Sequence, residues 1–321
     1  MAVVDRASFL IDTMASGLRP IRDGLLLVGL YYSTKWTCKT LLSLYKGFKT
    51  YGLPRIWPRN FVEEYGQWAI VTGASKGIGK SYAYELAKRG LNLVLIARSQ
   101  GLLLEVSKDI EDKYQVTVEI IVGDMSQKDV FEKIEEGVKG KDIGILINNA
   151  GINLQPMVLT NMDQDRIQQM IMVNVYAVTT LTKMILPGLV AKKKGAIVNV
   201  SSVASLVPHG LLSVYSATKA FVTCFSRGLQ QEYASKNITI QCLLPGAVNT
   251  DMLTMIDNDQ VAPGIPSPDA YAACAIRTLG FSNYTCGYWS HSLQSILFLE
   301  QVSPYIIFHL VKMLATKTKE E

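Results

Sequence analysis

Tyr215 and Lys219 stand four residues apart in the run Tyr-Ser-Ala-Thr-Lys, a spacing that puts both on one face of a helix. A phenol with a pKa of about 10 is a poor proton donor or acceptor at neutral pH unless its anion is stabilised. An ammonium one turn away, helped by the positive end of the helix, favours the phenolate. Such a pair suits the delivery of a proton to the alkoxide that forms when hydride reaches a carbonyl carbon. Ser202, thirteen residues before Tyr215, can share the carbonyl oxygen.

A hydride carrier needs a cradle, and Thr72-Gly-Ala-Ser-Lys-Gly-Ile-Gly79 supplies a candidate. Gly73 allows a sharp strand-to-helix turn, Gly77 lets backbone approach a pyrophosphate, and Gly79 permits close helix–strand contact. Ser75, Lys76 and Ile78 complete the loop. The anionic pyrophosphate then lies against free N–H groups at a helix N-terminus. A site preferring NAD places a carboxylate after the second strand. Here that strand runs into Ala97-Arg98-Ser99. Two cations, Lys76 and Arg98, with no acid beside them suit a 2′-phosphate, so the expected cofactor is NADP(H). Asp124, past the third strand, can accept from an adenine amino group or cap the helix that follows. Asn148-Asn149-Ala150-Gly151 forms a turn that brings backbone toward the cofactor and lets amides stitch neighbouring strands. Asn174, an amide among apolar neighbours, is either a satisfied core group or a functional one.

These residues require a regular frame. Apolar runs at Trp68–Thr72, Leu91–Ile96, Val116–Val122, Ile143–Asn148, Ala196–Val200 and Ile238–Leu244 read as strands, with a last strand expected at Cys286–Ser290. Between them lie helical patterns at Gly77–Arg89, Leu102–Tyr114, Gln127–Gly137, Asp163–Leu186, Val214–Tyr233 and Pro268–Thr278. Alternation of this kind gives βαβ units and a parallel sheet. Near-continuous Val/Ile/Leu strands fit burial on both faces. The expected fold is α/β: a single Rossmann-like, doubly wound parallel sheet of about seven strands with helices on both faces.

The 321 residues are 49% hydrophobic and 18% charged, with a mean hydropathy of +0.19. That excludes intrinsic disorder, and ordinary Gly and Pro usage excludes collagen-like chains. Five scattered cysteines argue for reduced thiols facing a cytosol. The three histidines lie far from any paired Cys or carboxylate, so no metal site is expected. Net charge is +5, but residues 1–60 carry nine Lys/Arg against three acids. The rest of the chain is therefore near neutral, and nucleic-acid binding is not expected. The expected organisation is a basic, amphipathic, membrane-associating extension over 1–60, an NADP-binding catalytic body over 61–292 and an apolar helix with a polar tail over 293–321. The run GLLLVGLYY at Gly24–Tyr32 is about half the ~20 residues a spanning helix needs. Residues 8–50 read as an interfacial helix or marginal anchor, or else as a soluble helix packed on the body or a partner. An apolar flap at Asp251–Pro268 would suit a bulky or long-chain carbonyl compound.

The chain resembles the short-chain dehydrogenase/reductase family. TGASKGIG (72–79), NNAG (148–151), Asn174, Ser202, Tyr215 with Lys219, and Pro245-Gly246 fall in family order. That resemblance implies a tetrad of Asn174, Ser202, Tyr215 and Lys219. Tyr215 would be general acid/base, and Ser202 would bind the substrate oxygen. Lys219 would bind the nicotinamide ribose and tune Tyr215, and Asn174 would hold a relay water. The stretch Pro245–Thr250, including Val248, would touch the nicotinamide carboxamide. Within the family the chain is similar to the 17β-hydroxysteroid dehydrogenase type 3/type 12 and very-long-chain 3-oxoacyl-CoA reductase branch. The similarity is carried by YGQWA (65–69), DIGILIN (142–148), KGAIVN (194–199) and EYASK (232–236). GYWSHS (287–292) resembles the hydroxysteroid dehydrogenase-like group, whose vertebrate members tend to carry Phe where this chain has Tyr215. The branch implies a hydrophobic carbonyl or alcohol substrate, which would partition into a membrane, and the family implies a homodimer or tetramer through the helices Asp163–Leu186 and Val214–Tyr233. Lys317 and Lys319, fifth and third from the end, resemble a dilysine endoplasmic-reticulum signal read on the cytosolic side. A mitochondrial location is the alternative.

Overall fold

The computed structural model describes residues 2–153, 156–251 and 264–295, with side chains from residue 23 onward. The Asp251–Pro268 flap between 252 and 263, the C-terminal apolar helix and the dilysine lie outside the described residues. The chain divides into two compact units, Met1–Lys49 and Thr50–Glu321. The first is a single helix, α1 (Ala2–Gly47). Leu25, Leu26, Leu27, Leu30, Tyr31, Tyr32 and Trp36 on it are all more than half exposed.

The second unit opens with two short helices, α2 (Leu53–Ile56) and α3 (Phe61–Glu64). Then follow β1 (Trp68–Thr72), α4 (Gly77–Ala87), β2 (Asn92–Ala97), α5 (Gln100–Tyr114), β3 (Val118–Val122), α6 (Asp129–Val138) and β4 (Ile143–Asn148). The second half holds α7 (Gln164–Ile171), α8 (Ala177–Ala191), β5 (Gly195–Val200), α9 (Ser213–Glu232), β6 (Ile238–Leu243), α10 (Pro268–Arg277), β7 (Tyr284–Thr285) and α11 (Trp289–Gln294). All seven strands pair in parallel, in the order β3-β2-β1-β4-β5-β6-β7. The order reverses between β1 and β4, and open sheets of this type bind ligands at the carboxyl edge of that reversal.

Period-two alternation splits the core in two. Ala69, Val71, Leu93 and Leu95 face a cluster with Tyr82, Leu86, Leu103 and Tyr271. Ile70, Val94, Ile96 and Leu146 face another with Val130, Ile134, Leu181 and Ile185. Both faces are covered, as the unbroken apolar strands require. Among the described residues one helical stretch, Gln164–Ala191, is long and apolar enough to cross a membrane, and half of it is buried inside the fold.

Two expectations need correcting. The last strand is Tyr284–Thr285, not Cys286–Ser290. Gly287, at φ +74°, turns the chain out of the sheet, and Ser290 and His291 become buried positions of α11. The helix expected to stop at Leu186 runs to Ala191 through Pro187. Pro187 is exposed, so the carbonyl it leaves unpaired one turn back can meet water, while buried Leu189 holds the last turn. The same stretch is not one α-helix: Met172–Tyr176 widens to a π-turn.

Candidate active site

Gly73 and Gly77 adopt left-handed φ angles of +66° and +55°. The Gly73 and Ala74 N–H groups both donate to the Ile96 carbonyl, at 2.8 and 3.2 Å. A side chain at Gly79 has no room, since its Cβ would lie 2.2 Å from the Gly73 carbonyl oxygen. The turn therefore holds its backbone against the start of α4 as a phosphate cradle demands.

The neighbouring turn is tied to it by a residue that sequence reading did not single out. Thr72 Oγ1 accepts from the Asn149 and Ala150 N–H groups, at 3.0 and 2.9 Å, and donates to the Ile147 carbonyl. Asn149 Nδ2 returns a bond to the Thr72 carbonyl at 2.9 Å. One strand deeper, Asn148 Nδ2 donates to Asn199 Oδ1 at 2.8 Å, and Asn199 Nδ2 donates to Ser226 Oγ. This buried chain of amides joins β4, β5 and α9.

A cleft of about 500 Å³ opens above these turns. Gly73, Ser75, Lys76, Gly77, Ile78, Arg98, Asp124 and Asn149 line it, with Thr250 and Asp251 on the opposite wall. Neither expected phosphate cation stands alone. Lys76 Nζ donates to Asp251 Oδ2 at 2.8 Å, and Arg98 faces Asp124 at 3.8 Å. Asp124 also caps the following turn, accepting from the Ser126 N–H. Both cations are exposed and such pairs contribute little to stability, so a phosphate can take over either cation. The wall fits a dinucleotide: an N–H-rich helix start, two exposed cations and no carboxylate at the end of β2.

Beyond the cleft, α9 carries Tyr215 in its first turn and Lys219 one turn on. Lys219 Nζ donates to the Val200 carbonyl at 2.9 Å and lies 5.9 Å from the Tyr215 ring centroid. Asn174, on the π-turn, is fully buried. Its Oδ1 accepts from the Ile152 N–H, and its Nδ2 donates to the Ile152 carbonyl and to Thr218 Oγ1. A Cβ at Gly151 would lie 3.3 Å from Lys219 Nζ and 3.4 Å from Asn174 Oδ1, so the glycine lets both groups close on the NNAG turn. Ser202, at the end of β5, caps a short turn by accepting from the Ala204 N–H. Its neighbour Ser201 is committed to the Lys219 carbonyl and Thr223.

Burial raises the Tyr215 phenol above its ordinary value, and a hydrogen bond with Ser202 partly opposes it. Burial dominates here, not the ammonium, and the phenol is a proton donor through the physiological range. Burial also pulls Lys219 down to about 8. Lys219 is therefore charged below that pH and loses its proton as pH rises through it.

His291 was missed. It is buried on α11, its Nδ1 accepts from the Gly246 N–H at 3.2 Å, and its Nε2–H donates to the Ala247 carbonyl at 2.9 Å. The two bonds fix the neutral ring, which burial also favours, and clamp the loop holding Pro245 and the buried Val248. The only hint in the sequence was the GYWSHS segment, and nothing local tied it to a loop some 45 residues earlier. His291→Ala leaves a buried N–H and carbonyl unpaired. It is expected to cost about 2–4 kcal/mol of stability, read as a fall in Tm. An unchanged Tm would show that the clamp is not needed. Among the described residues, no group of three His, Cys, Asp or Glu converges on a metal position.

Comparison with known proteins gives a consistent set of relatives. The short chain dehydrogenase family matches residues 67–261. The human protein named "Inactive hydroxysteroid dehydrogenase-like protein 1" is 42% identical over 92% of this chain and 90% of its own length. Very-long-chain 3-oxoacyl-CoA reductase-A of Danio rerio is 44% identical over 78% of this chain and 80% of its own. Among solved structures, a short-chain dehydrogenase from Sphingobium yanoikuyae in complex with NADPH has a TM-score of 0.61 and 34% identity. It covers 65% of this chain and 83% of that one. L-sorbose reductase from Gluconobacter frateurii, complexed with NADPH and L-sorbose, has a TM-score of 0.62 and 27% identity over 70% of this chain and 93% of that one.

Proposed function

The chain belongs to the short-chain dehydrogenase/reductase family, and we propose that it is an NADPH-dependent reductase of ketones on hydrophobic substrates, a 3-oxoacyl-CoA or a 17-ketosteroid. The observation that carries this reading is the half-buried, protonated Tyr215 one turn from Lys219 and in hydrogen-bonding reach of Ser202. Bound NADPH supplies the hydride. Ser202 and Tyr215 donate to the carbonyl oxygen, and Tyr215 gives up its proton as negative charge develops there. Lys219 offsets the resulting phenolate and, with Asn174, supports the ribose side and the proton path. Gly73, Ser75, Gly77, Ile78 and Gly79 seat the pyrophosphate, and Lys76 and Arg98 take the 2′-phosphate. Asp124 and Asn149 meet the adenosine half, and Pro245 and Val248 the carboxamide.

The exposed apolar residues of α1, interspersed with Lys35 and Lys39, support association with a membrane, where such substrates partition. We place the protein on the cytosolic face of the endoplasmic reticulum. Exposed Phe221, Ile171 and Tyr176 on and beside the long helices support a homodimer.

The test is oxidation of NADPH against a panel of 3-oxoacyl-CoA esters and steroid ketones. The reading expects turnover of at least one member. A rival reading, a nucleotide-holding scaffold without turnover, is favoured by the name "inactive" carried by a relative at 42% identity. It predicts tight NADPH binding with no product from any member. The pH profile gives a further check, because kcat/KM reports groups of the free enzyme. It should fall as pH rises through about 8, where Lys219 deprotonates while Tyr215 keeps its proton. In Lys219→Arg, which stays charged, that limb should vanish.

A further inference from the structure

Four arginines that belong to no part of the cofactor cleft converge on one groove. Arg55, Arg59, Arg89 and Arg277 line a volume of about 540 Å³ together with Phe61 and Phe281. Arg89 lies in the connection from α4 into β2, Arg277 closes α10 ahead of β7, and Arg59, between α2 and α3, donates to the Gly280 carbonyl in the connection from α10 into β7. The groove therefore lies at the amino edge of the sheet, opposite the edge where the glycine turn sits.

The four side chains divide into a held pair and a free pair. Arg59 is paired with Glu64 and lies 4.7 Å from the Phe281 ring centroid. Arg89 is paired with Glu85 at 2.6 Å and lies 5.5 Å from the Phe61 ring. These contacts fix the two guanidiniums in place. Arg55 and Arg277 are exposed and have no hydrogen-bond or ion-pair partner among the described residues. Both line a second, smaller pocket together with Cys274 and Trp289, so their charges are close together. Four cations against two carboxylates leave an excess of two in a groove walled by aromatic rings. Guanidiniums in such a cluster match the geometry of a phosphate.

We propose that this groove binds the phosphate headgroup of an anionic membrane lipid. A lipid is favoured over a free phosphate by what flanks the arginines. Ile56 and Trp57, next to Arg55, are 62% and 69% exposed, and Trp289 is 57% exposed beside Arg55 and Arg277. Exposed indole and aliphatic side chains beside phosphate-binding cations are the signature of a membrane–water interface. The chain that leads into this segment carries Lys46 and Lys49. This inference rests on the membrane reading above and names the chemistry the membrane must present.

The experiment is flotation of the full chain with phosphatidylcholine vesicles, with and without phosphatidate, for wild type, R55Q/R277Q and R55K/R277K. The glutamine variant should bind phosphatidate vesicles about 30-fold more weakly, two charges at roughly fivefold each. It should lose nothing on pure phosphatidylcholine and should keep wild-type NADPH affinity, which reports an intact fold. The lysine variant should retain most of the phosphatidate binding. Equal phosphatidate binding by wild type and R55Q/R277Q overturns the proposal. Release of wild type from phosphatidate vesicles by millimolar inorganic phosphate overturns the lipid assignment in favour of a soluble ligand. Phosphatidate binding that depends on the arginines, with none to phosphatidylcholine, upholds the groove while removing apolar insertion from the membrane reading. No flotation with either vesicle overturns both.

Discussion

Replacing Tyr215 with Phe is expected to lower kcat about a thousandfold, in the middle of the range a positioned general acid contributes. The phenyl ring keeps the volume of the phenol at the start of α9, so the packing around Lys219 and Ser202 is retained. NADPH affinity should be nearly unchanged, because the cleft lined by Gly73, Lys76 and Arg98 is untouched. The split is diagnostic. A lost proton donor lowers kcat and kcat/KM together and leaves cofactor binding alone. A variant that lost both would instead report a collapsed site. Steady-state NADPH oxidation, with fluorescence titration of NADPH, reads both quantities.

Gly79→Ala is expected to weaken NADPH binding by about a hundredfold, the cost of moving a positioning element by roughly an ångström. The added Cβ would meet the Gly73 carbonyl oxygen at 2.2 Å and Asn149 Nδ2 at 2.4 Å. The first obstacle is backbone and cannot swing aside, so the turn and the helix must part. That overpacking should also cost about 1–3 kcal/mol of stability. Gly77→Ala is the contrast. Its Cβ would meet only the Thr250 side chain, at 3.2 Å, and the left-handed φ costs about 1–2 kcal/mol. Equal NADPH affinities for the two variants would show that the tight approach at Gly79 is not what shapes the cradle.

The parts of the fold legible in the sequence were those with a long repeating signal. Trp68–Thr72 and Ile143–Asn148 are unbroken apolar runs because both faces of the sheet are covered, and such runs need no neighbour to be recognised. Tyr215 and Lys219 are one turn apart on one helix, so their proximity is local. Other features left no local trace. The two-residue strand Tyr284–Thr285 is too short for any period to show. The π-turn at Met172–Tyr176 shifts hydrogen bonds without demanding a residue type, yet it carries Asn174. His291 reaches Gly246, and Lys76 reaches Asp251, across long stretches of chain. The sequence also suggested that the Lys219 ammonium would govern the phenol. The fold turns that ammonium toward the Val200 carbonyl and leaves burial as the larger influence. Burial depends on everything packed around the hydroxyl, and residue spacing carries none of that.

The most direct measurement is a single turnover. Enzyme preloaded with NADPH is mixed with a 3-oxoacyl-CoA ester, and the transfer of label from deuterated cofactor to the product alcohol is followed in wild type and in Tyr215→Phe. The account predicts labelled alcohol from the wild type within one cycle and almost none from the variant at equal cofactor occupancy. Equal label from the two proteins would show that the phenol carries no proton in the reaction. A wild type that holds its NADPH but passes no deuterium to that ester or to a steroid ketone would leave the chain a nucleotide-binding fold without this chemistry.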